Sequence, residues 1–262
     1  MRCAKACGSL AGGYDLSMKK MTAQTQDGPM VVHVTLPEGD PSQKRPAMIV
    51  LQEAFGVNSH IRHVCQIFAD HGYVALAPEL FHRSGAGIEI AYTEFMEKGR
   101  PLMADLSNER LLDDVKATLN LAKTLPQVDP QKVGAIGYCM GGFAAMLGAT
   151  HLPLAAGISF YGGGMTKVRP GIGLRPILSD LAKIKCPVLL GWGELDHGIP
   201  PEEIDHISQE LKQNGVNAMV ITYPNAHHGF ICDERSAFNP QMAEKAWKDT
   251  FKWLHDCGRM AL

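Results

Sequence analysis

A cysteine lies between two glycines in the stretch Gly137-Tyr138-Cys139-Met140-Gly141, a spacing typical of a nucleophile held on a tight turn. The apolar run at residues 133–136 predicts a buried strand before it, and the small residues at 143–150 predict a helix after it. A strand that turns abruptly into a helix strains the middle residue and presents its side chain at the end of the sheet. Cys139 is therefore a candidate nucleophile.

The predicted helix after Cys139 would supply the electrostatics that a thiol nucleophile needs. A helix N-terminus carries partial positive charge and free N–H groups, which favour a thiolate and can hold an oxyanion. A structural interpretation also fits, because glycines often pack a strand against its following helix and a buried cysteine is commonly inert. The motif alone does not distinguish a catalytic cysteine from a structural one. The residues predicted to lie near Cys139 are needed to decide.

An acid and a base follow two later predicted strands. Asp196 comes just after a strand predicted over residues 187–193, and His228 comes just after one predicted over 218–223. Ligands bind at the carboxyl ends of strands in a parallel sheet, so we expect both side chains to meet Cys139. His228 would take the thiol proton, and Asp196 would fix its tautomer. The order nucleophile, acid, histidine is that of the α/β-hydrolases.

Each of these residues also has a simpler explanation. An Asp after a strand often caps a helix, and a histidine pair in a loop is often a surface feature. Glu194 and His227 are immediate rivals for the two partner roles. The coincidence of three groups at three strand ends, in this order, favours a catalytic triad.

Glu53 adds a second carboxylate to the predicted site. It follows the buried strand predicted over residues 47–51, which places it at the same edge of the sheet. A solvent-facing charge at a strand end would have the same pattern, so both interpretations stay open at this point.

Strands and helices alternate along the chain. Strands are predicted over residues 30–36, 47–51, 73–77, 133–136, 155–161, 187–193 and 218–223, and helices over 59–71, 91–97, 108–123, 143–150, 200–214 and 241–257. This alternation predicts an α/β fold with a doubly wound, mainly parallel sheet and helices on both faces. Residues 1–20 are expected to be a disordered N-terminal extension, and residues 21–262 a single domain.

Composition excludes several classes of partner. The chain has 25 Lys and Arg against 27 Asp and Glu, so no basic field attracts nucleic acid or an anionic membrane. No run of 18 apolar residues is present to span a bilayer, and no signal-peptide core is found. Seven cysteines without paired spacing indicate reduced thiols. We therefore expect a cytoplasmic protein with a small-molecule substrate and predict nothing about its oligomeric state.

Five stretches together resemble the dienelactone hydrolase family. They are Gln52-Glu53-Ala54-Phe55-Gly56-Val57-Asn58, Pro78-Glu79-Leu80-Phe81-His82-Arg83, Gly137-Tyr138-Cys139-Met140-Gly141-Gly142, Gly193-Glu194-Leu195-Asp196-His197 and Ala226-His227-His228-Gly229-Phe230. The resemblance implies the α/β-hydrolase fold. It also implies a cysteine hydrolase that opens an enol-lactone through an acyl-thioenzyme, without metal or organic cofactor.

The same resemblance assigns roles by position. It makes Cys139 the nucleophile, His228 the general base and Asp196 the group that orients it. Glu53 resembles a glutamate that contacts the resting cysteine and helps to switch it to thiolate when substrate arrives. The backbone N–H groups that resemble the family's oxyanion hole are those of Met140 and Ala54.

Recognition of a substrate carboxylate is where the chain departs from the family pattern. Arg83 resembles an arginine that holds this carboxylate. The family's second arginine would lie four residues after the catalytic histidine, where this chain has Cys232. Arg235, three residues further on, is a candidate substitute.

Other functions are weighed against this interpretation. A general carboxylesterase or thioesterase would differ only in its substrate. A non-catalytic ligand-binding module would require the loss of a triad member, and none is lost. A metal site is indicated only by His60-x-x-His63 and the pair His227-His228, which no carboxylate or cysteine completes at a known spacing. The sequence favours a cysteine hydrolase of small lactones or esters.

Overall fold

Eight strands form one sheet in the computed structural model, which describes residues 18–261. The strands are β1 (Lys19–Thr25), β2 (Gly28–Thr35), β3 (Arg45–Leu51), β4 (Val74–Pro78), β5 (Val128–Tyr138), β6 (Gly157–Phe160), β7 (Val188–Gly193) and β8 (Ala218–Tyr223). Their order across the sheet is β1-β2-β4-β3-β5-β6-β7-β8. β2 pairs antiparallel with β1 and β4, and all the other pairings are parallel. The predicted doubly wound, mainly parallel sheet is confirmed.

Helices cover both faces of this sheet. They are α1 (Ser59–Asp70), α2 (Arg100–Ala104), α3 (Asn108–Thr124), α4 (Met140–His151), α5 (Pro201–Gln213) and α6 (Pro240–Asp256). α1 packs on α6 through Phe68 and Phe251, whose ring centroids are 5.4 Å apart, and α3 packs on α4. Every residue of β4 is buried, and because side chains of a strand alternate between faces, burial of all of them requires cover on both sides.

Polar side chains cap the N-termini of three of these helices. The side chain of Asn58 accepts a hydrogen bond from the Ile61 N–H at 3.2 Å at the start of α1. Ser107 caps α3 and Asn239 caps α6 in the same way. Each cap satisfies one of the free N–H groups in the first turn of the helix, which fixes where the helix begins.

Two expectations from the sequence need correction. β1 was not predicted, and its first residues, Lys19 and Lys20, belong to the extension expected to be disordered; they pair with Val34 and His33 of β2. Residues 1–17 lie outside the described part of the chain. The short helix predicted over residues 91–97 is instead a 3₁₀ turn at Tyr92–Glu94, a π-helical turn at Phe95–Gly99 and then α2.

The described part of the chain contains no disulfide and no membrane-spanning helix. The five cysteines there, Cys65, Cys139, Cys186, Cys232 and Cys257, are free thiols. None of the helices within residues 18–261 is both long enough and apolar enough to cross a membrane.

The turn from β5 into α4 depends on glycines where backbones approach closely. A Cβ atom on Gly137 would lie 1.9 Å from the Gly141 carbonyl oxygen, and one on Gly141 would lie 2.2 Å from the Leu51 carbonyl oxygen of β3. Neither partner is a side chain that could move aside. The glycines on either side of Cys139 therefore allow α4 to begin directly against β3.

Gly141→Ala should lower the free energy of unfolding by about 1–3 kcal/mol, because the new methyl group overlaps a backbone carbonyl. Gly148→Ala is the matched control in the same helix, since its methyl group would meet only the side chains of Val115 and Leu154, at 3.2 and 3.4 Å. Urea unfolding of both variants measures the difference. Equal stability of the two would contradict the close backbone approach.

Candidate active site

Cys139 occupies a strained turn at the carboxyl end of β5. It is the residue before the first turn of α4, with φ 54° and ψ −115°, a region that residues other than glycine rarely enter. Its backbone N–H donates to the Phe160 carbonyl of β6 at 3.0 Å, which ties the turn to the neighbouring strand. Strain of this kind persists only where the surroundings impose it. The sharp turn expected from the sequence is therefore present.

A half-buried histidine, His228, pairs with a buried carboxylate, Asp196, beside this turn. The Asp196 Oδ2 lies 2.7 Å from the His228 Nδ1, and the Asp196 Oδ1 accepts a hydrogen bond from the Gly198 N–H at 3.0 Å. The Asp196 side chain is only 1% exposed, so it is fixed in place. His228 and Cys139 line the same cavity, and the sulfur lies near enough to the ring to influence its pKa. The structure thus brings together the three residues of the predicted triad.

The two rival residues make other contacts. The His227 ring is exposed and its Nδ1 lies 3.1 Å from the Leu195 carbonyl oxygen. Glu194 accepts a hydrogen bond from the Asn225 N–H at 3.0 Å. Both side chains therefore bond to loop backbone rather than to Cys139 or His228.

The electrostatic balance around His228 favours its protonated ring. Burial lowers the pKa of His228, but the negative charge of the Cys139 thiolate and the hydrogen bond to Asp196 outweigh it and raise the pKa to about 10. A thiolate and an imidazolium stabilise each other in this arrangement. Such a pair is the activated form of a cysteine nucleophile.

Glu53 is buried at the same end of the sheet, with 1% of its surface exposed. Its Oε1 accepts a hydrogen bond from the Arg235 Nη1 at 3.0 Å. Its Oε2 is buried and has no hydrogen-bond partner among the described residues. Burial raises the pKa of Glu53, while Arg235 and His228 act in the opposite direction. The interpretation of Glu53 as a solvent-facing charge is therefore wrong.

Arg235 reaches this site from the loop after His228. Its guanidinium lies over the rings of Phe55 and Tyr92, at 5.6 and 5.9 Å from their centroids. Gly229 has φ +83°, and a Cβ atom there would lie 2.2 Å from the Arg235 Nη1. Gly229 therefore provides the space that lets Arg235 reach Glu53.

Cys232 contributes no charge to the site. Its side chain is buried and lies 3.3 Å from the Tyr92 hydroxyl. Burial raises the pKa of the Cys232 thiol to about 12, so the thiol is neutral. Arg235 is the cation that this loop brings to the site.

Arg83 is where the structure departs from the expected site. Its Nη1 and Nη2 donate to the two carboxylate oxygens of Asp114, at 2.8 and 2.9 Å, and its Nε donates to Asp27. Asp114 is fully buried, so this bidentate ion pair has a structural role. Arg83 is not among the residues that line the cavity at Cys139. The predicted contact between Arg83 and a substrate carboxylate would require Arg83 to leave Asp114.

A cavity opens beside Cys139 and His228. Its empty space is ≈ 520 Å³, including its open mouth. One wall is the loop after β6, which contributes Gly163, Gly164, Lys167, Arg169, Ile172 and Leu174. Trp192 of β7 shapes this wall, because its buried indole N–H donates to the Gly162 carbonyl at 2.9 Å. An open, mainly apolar cleft beside a nucleophile is the kind of site that binds a small ligand.

Sequence reasoning missed several residues that surround the triad. Tyr161 is buried at the end of β6 with φ 41°, and its ring centroid lies 5.1 Å from that of His228. Tyr161 was missed because the strand was predicted over residues 155–161, whereas β6 ends at Phe160 and Tyr161 is the first residue after it. No local pattern distinguishes Lys167 and Arg169 from other basic residues of a loop.

The histidines that indicated a metal site do not form one within residues 18–261. No group of three or more His, Cys, Asp or Glu side chains in that part of the chain is placed to hold a metal ion. Burial lowers the pKa of His60 to about 3, so this ring is neutral, and it packs 5.8 Å from the Tyr138 ring.

Comparison with known proteins identifies the family. The model of the dienelactone hydrolase family matches residues 32–258. The chain belongs to this family. As a member of the dienelactone hydrolase family, it is an enzyme that hydrolyses carboxylic ester bonds of small molecules.

Similar proteins from other organisms agree with this assignment. A protein of Synechocystis sp. named "Putative carboxymethylenebutenolidase" is 42% identical over 204 residues, which cover 78% of this chain and 82% of the relative. A protein of the same name from Methylorubrum extorquens is 30% identical over 273 residues, which cover 95% and 91%. The solved structure titled "Putative Dienelactone Hydrolase" from Klebsiella pneumoniae has a TM-score of 0.78 and 28% identity, covering 90% of this chain and 97% of that chain.

Substitution of each histidine separates the two candidates for the base. His228→Ala should lower kcat on an aryl ester by on the order of 10²-fold or more, because no other group can take the thiol proton. His227→Ala is the adjacent control and should leave kcat within about twofold, since its ring bonds only to a loop carbonyl. A larger loss in His227→Ala would show that the register of the loop is wrong.

Proposed function

We propose that this enzyme is a cysteine hydrolase that opens small lactones, including enol-lactones, and simple esters through an acyl-thioenzyme. The observation that carries the proposal is the proximity of His228 to Cys139 on its strained turn, with Asp196 2.7 Å from the His228 Nδ1. Nucleophile, base and orienting acid are thus arranged in one series. Membership of an ester-hydrolysing family supports the same chemistry.

Acylation begins with attack of the Cys139 sulfur on the carbonyl carbon. A C–S bond forms, and the carbonyl oxygen becomes an oxyanion. The Met140 N–H, the first of α4, has no partner within the helix, and together with the Ala54 N–H it is proposed to stabilise this oxyanion. When the oxyanion collapses, the C–O bond to the leaving oxygen breaks and His228 gives that oxygen its proton.

Deacylation returns the enzyme to its starting state. His228 takes a proton from water, and the resulting hydroxide attacks the thioester carbon. The C–S bond then breaks, the sulfur leaves as thiolate, and the carboxylic acid product releases its proton to solvent to become a carboxylate. In a lactone the leaving oxygen stays attached to the acyl group, so the product is a single hydroxy acid or, from an enol-lactone, its keto form.

Glu53 is proposed to control how readily Cys139 ionises. It is a buried carboxylate that follows β3, the strand next to β5 in the sheet, and a negative charge near the thiol would disfavour the thiolate. Its ion pair with Arg235 offsets part of this effect. The resting enzyme would thereby protect its thiol from stray alkylation and oxidation.

Mass spectrometry after brief incubation with a slow aryl ester tests the proposed intermediate. We expect a single acyl group on Cys139, because among the five described cysteines it is the one that lines the cavity together with His228. Cys139→Ser should be poorly active, since a site arranged for a thiolate does not readily deprotonate a hydroxyl. Cys257→Ala is the control and should retain both the adduct and the activity. Acylation of another residue with full turnover would contradict the proposal.

Glu53→Gln tests the control of the thiol. Above the raised pKa of Glu53 the wild-type carboxylate is charged, whereas the amide is neutral at every pH. Alkylation of Cys139 by iodoacetamide should therefore be faster in the variant, by about tenfold at pH values above the raised pKa of Glu53, and the two rates should converge as the pH falls through that pKa. Glu194→Gln removes the same charge from an exposed position and should change nothing. Identical profiles for Glu53→Gln and wild type would remove Glu53 from the mechanism.

A further inference from the structure

The cavity beside Cys139 contains two cations that the proposed mechanism does not use, Lys167 and Arg169. We propose that Lys167, supported by Arg169, binds an anionic group of the substrate, most simply a carboxylate, and so selects anionic lactones and esters. This inference rests on the proposed function, because it concerns the substrate of the same site.

Sheet order places these cations on one side of the nucleophile. Cys139 follows β5, Lys167 and Arg169 lie in the loop after β6, and Glu53 follows β3. In the sheet, β3 and β6 flank β5 on opposite sides. The anionic group would therefore bind on the side of Cys139 away from Glu53 and its partner Arg235.

Lys167 is available for a ligand. Its side chain is exposed and lines the cavity, and no hydrogen bond or ion pair joins it to any residue between 18 and 261. The other candidate cations are already in ion pairs: Arg83 pairs with Asp114, and Arg235 pairs with Glu53. Lys167 is thus the cation at this cavity whose charge no described carboxylate offsets.

Arg169 is fixed next to Lys167 with donors to spare. Its Nη2 donates to the Glu203 Oε2 at 3.0 Å, and the Glu203 Oε1 accepts the Gly164 N–H at 3.1 Å. Glu203 is 3% exposed, so it anchors both the guanidinium and the loop. The Arg169 Nε is buried without a hydrogen-bond partner among the described residues. A buried donor without a partner is costly, and an anionic ligand that reached it would relieve that cost.

The charges and the lining define the substrate class. No Asp or Glu within residues 18–261 lines the cavity, and of its two cations only Arg169 has a carboxylate partner in that part of the chain. Much of the remaining lining is apolar and includes Met103, Phe143 and Ile199. A matching substrate has a short apolar body, with a scissile carbonyl at one end and an anionic group at the other.

Two pairs of esters test the inference and locate the anionic group. The monophenyl ester of glutaric acid and its carboxamide differ in charge on the acyl side, and acetoxybenzoate and acetoxybenzamide differ in charge on the leaving-group side. The measured quantity is the ratio of kcat/KM for the anionic over the neutral ester, compared between variants so that intrinsic reactivity cancels.

Lys167→Met should lower this ratio by about two- to fivefold in at least one pair, mainly through a higher KM for the anionic ester. Lys167→Glu should lower it further, and salt should weaken the wild-type preference because Lys167 is exposed. On the neutral ester of each pair, both variants should lose less kcat/KM than on the anionic ester. Lys185→Met is the matched control, since Lys185 is exposed and lies outside the cavity lining.

Three outcomes would overturn the inference. The first is that Lys167→Met leaves the kcat/KM ratio unchanged in both ester pairs, and the second is that Lys185→Met lowers this ratio as much as Lys167→Met does. The third is that Lys167→Met lowers kcat/KM equally on neutral and anionic esters. Its failure is distinguishable from failure of the proposed function. Acylation of Cys139 without a charge preference would reject this inference alone, whereas turnover without any adduct on Cys139 would reject the cysteine mechanism.

Discussion

The close approach of α4 to β3 is the constraint on which the rest of the site depends. Gly141 packs so tightly against the Leu51 carbonyl that α4 must begin directly at the end of β5, and Cys139 takes up φ 54° as a result. The Gln52 carbonyl takes part in the same close approach to Gly141. Glu53 and Ala54 follow it directly, so a carboxylate and a candidate oxyanion donor come to the same end of the sheet as Cys139.

The charges of the site form a coupled series that runs from Asp196 through His228 and Cys139 to Glu53 and Arg235. Each ionisation changes the cost of the next one. The thiolate and Asp196 raise the pKa of His228 against burial, whereas burial raises the pKa of Glu53 against its attraction to Arg235 and His228. His228 acts on the pKa of Glu53, and Arg235 acts on it as well, so titrations of His228 and Glu53 will report on the group as a whole.

Sequence reasoning succeeded where the signal was local and failed where it depended on distant packing. A polar residue directly after an apolar run is visible in the sequence, and the parallel sheet brings Asp196 and His228 to the same edge. β1 was missed because Lys19–Thr25 is a polar edge strand without a continuous apolar run. The pairing of Arg235 with Glu53 joins residues 182 positions apart and requires the space at Gly229, which no pattern in the sequence reveals.

Chemistry and selectivity reside in different parts of this fold. The triad stands at the ends of β5, β7 and β8, where strand pairing fixes its geometry. One wall of the cavity is the loop after β6. Trp192 and Glu203 each make one hydrogen bond to the backbone of this loop, at Gly162 and Gly164. Because Arg235 and Glu53 form an ion pair with no net charge, selection for substrate charge falls to the cations of that loop. Substitutions in the loop can therefore change which ester is preferred while the nucleophile and its base keep their positions.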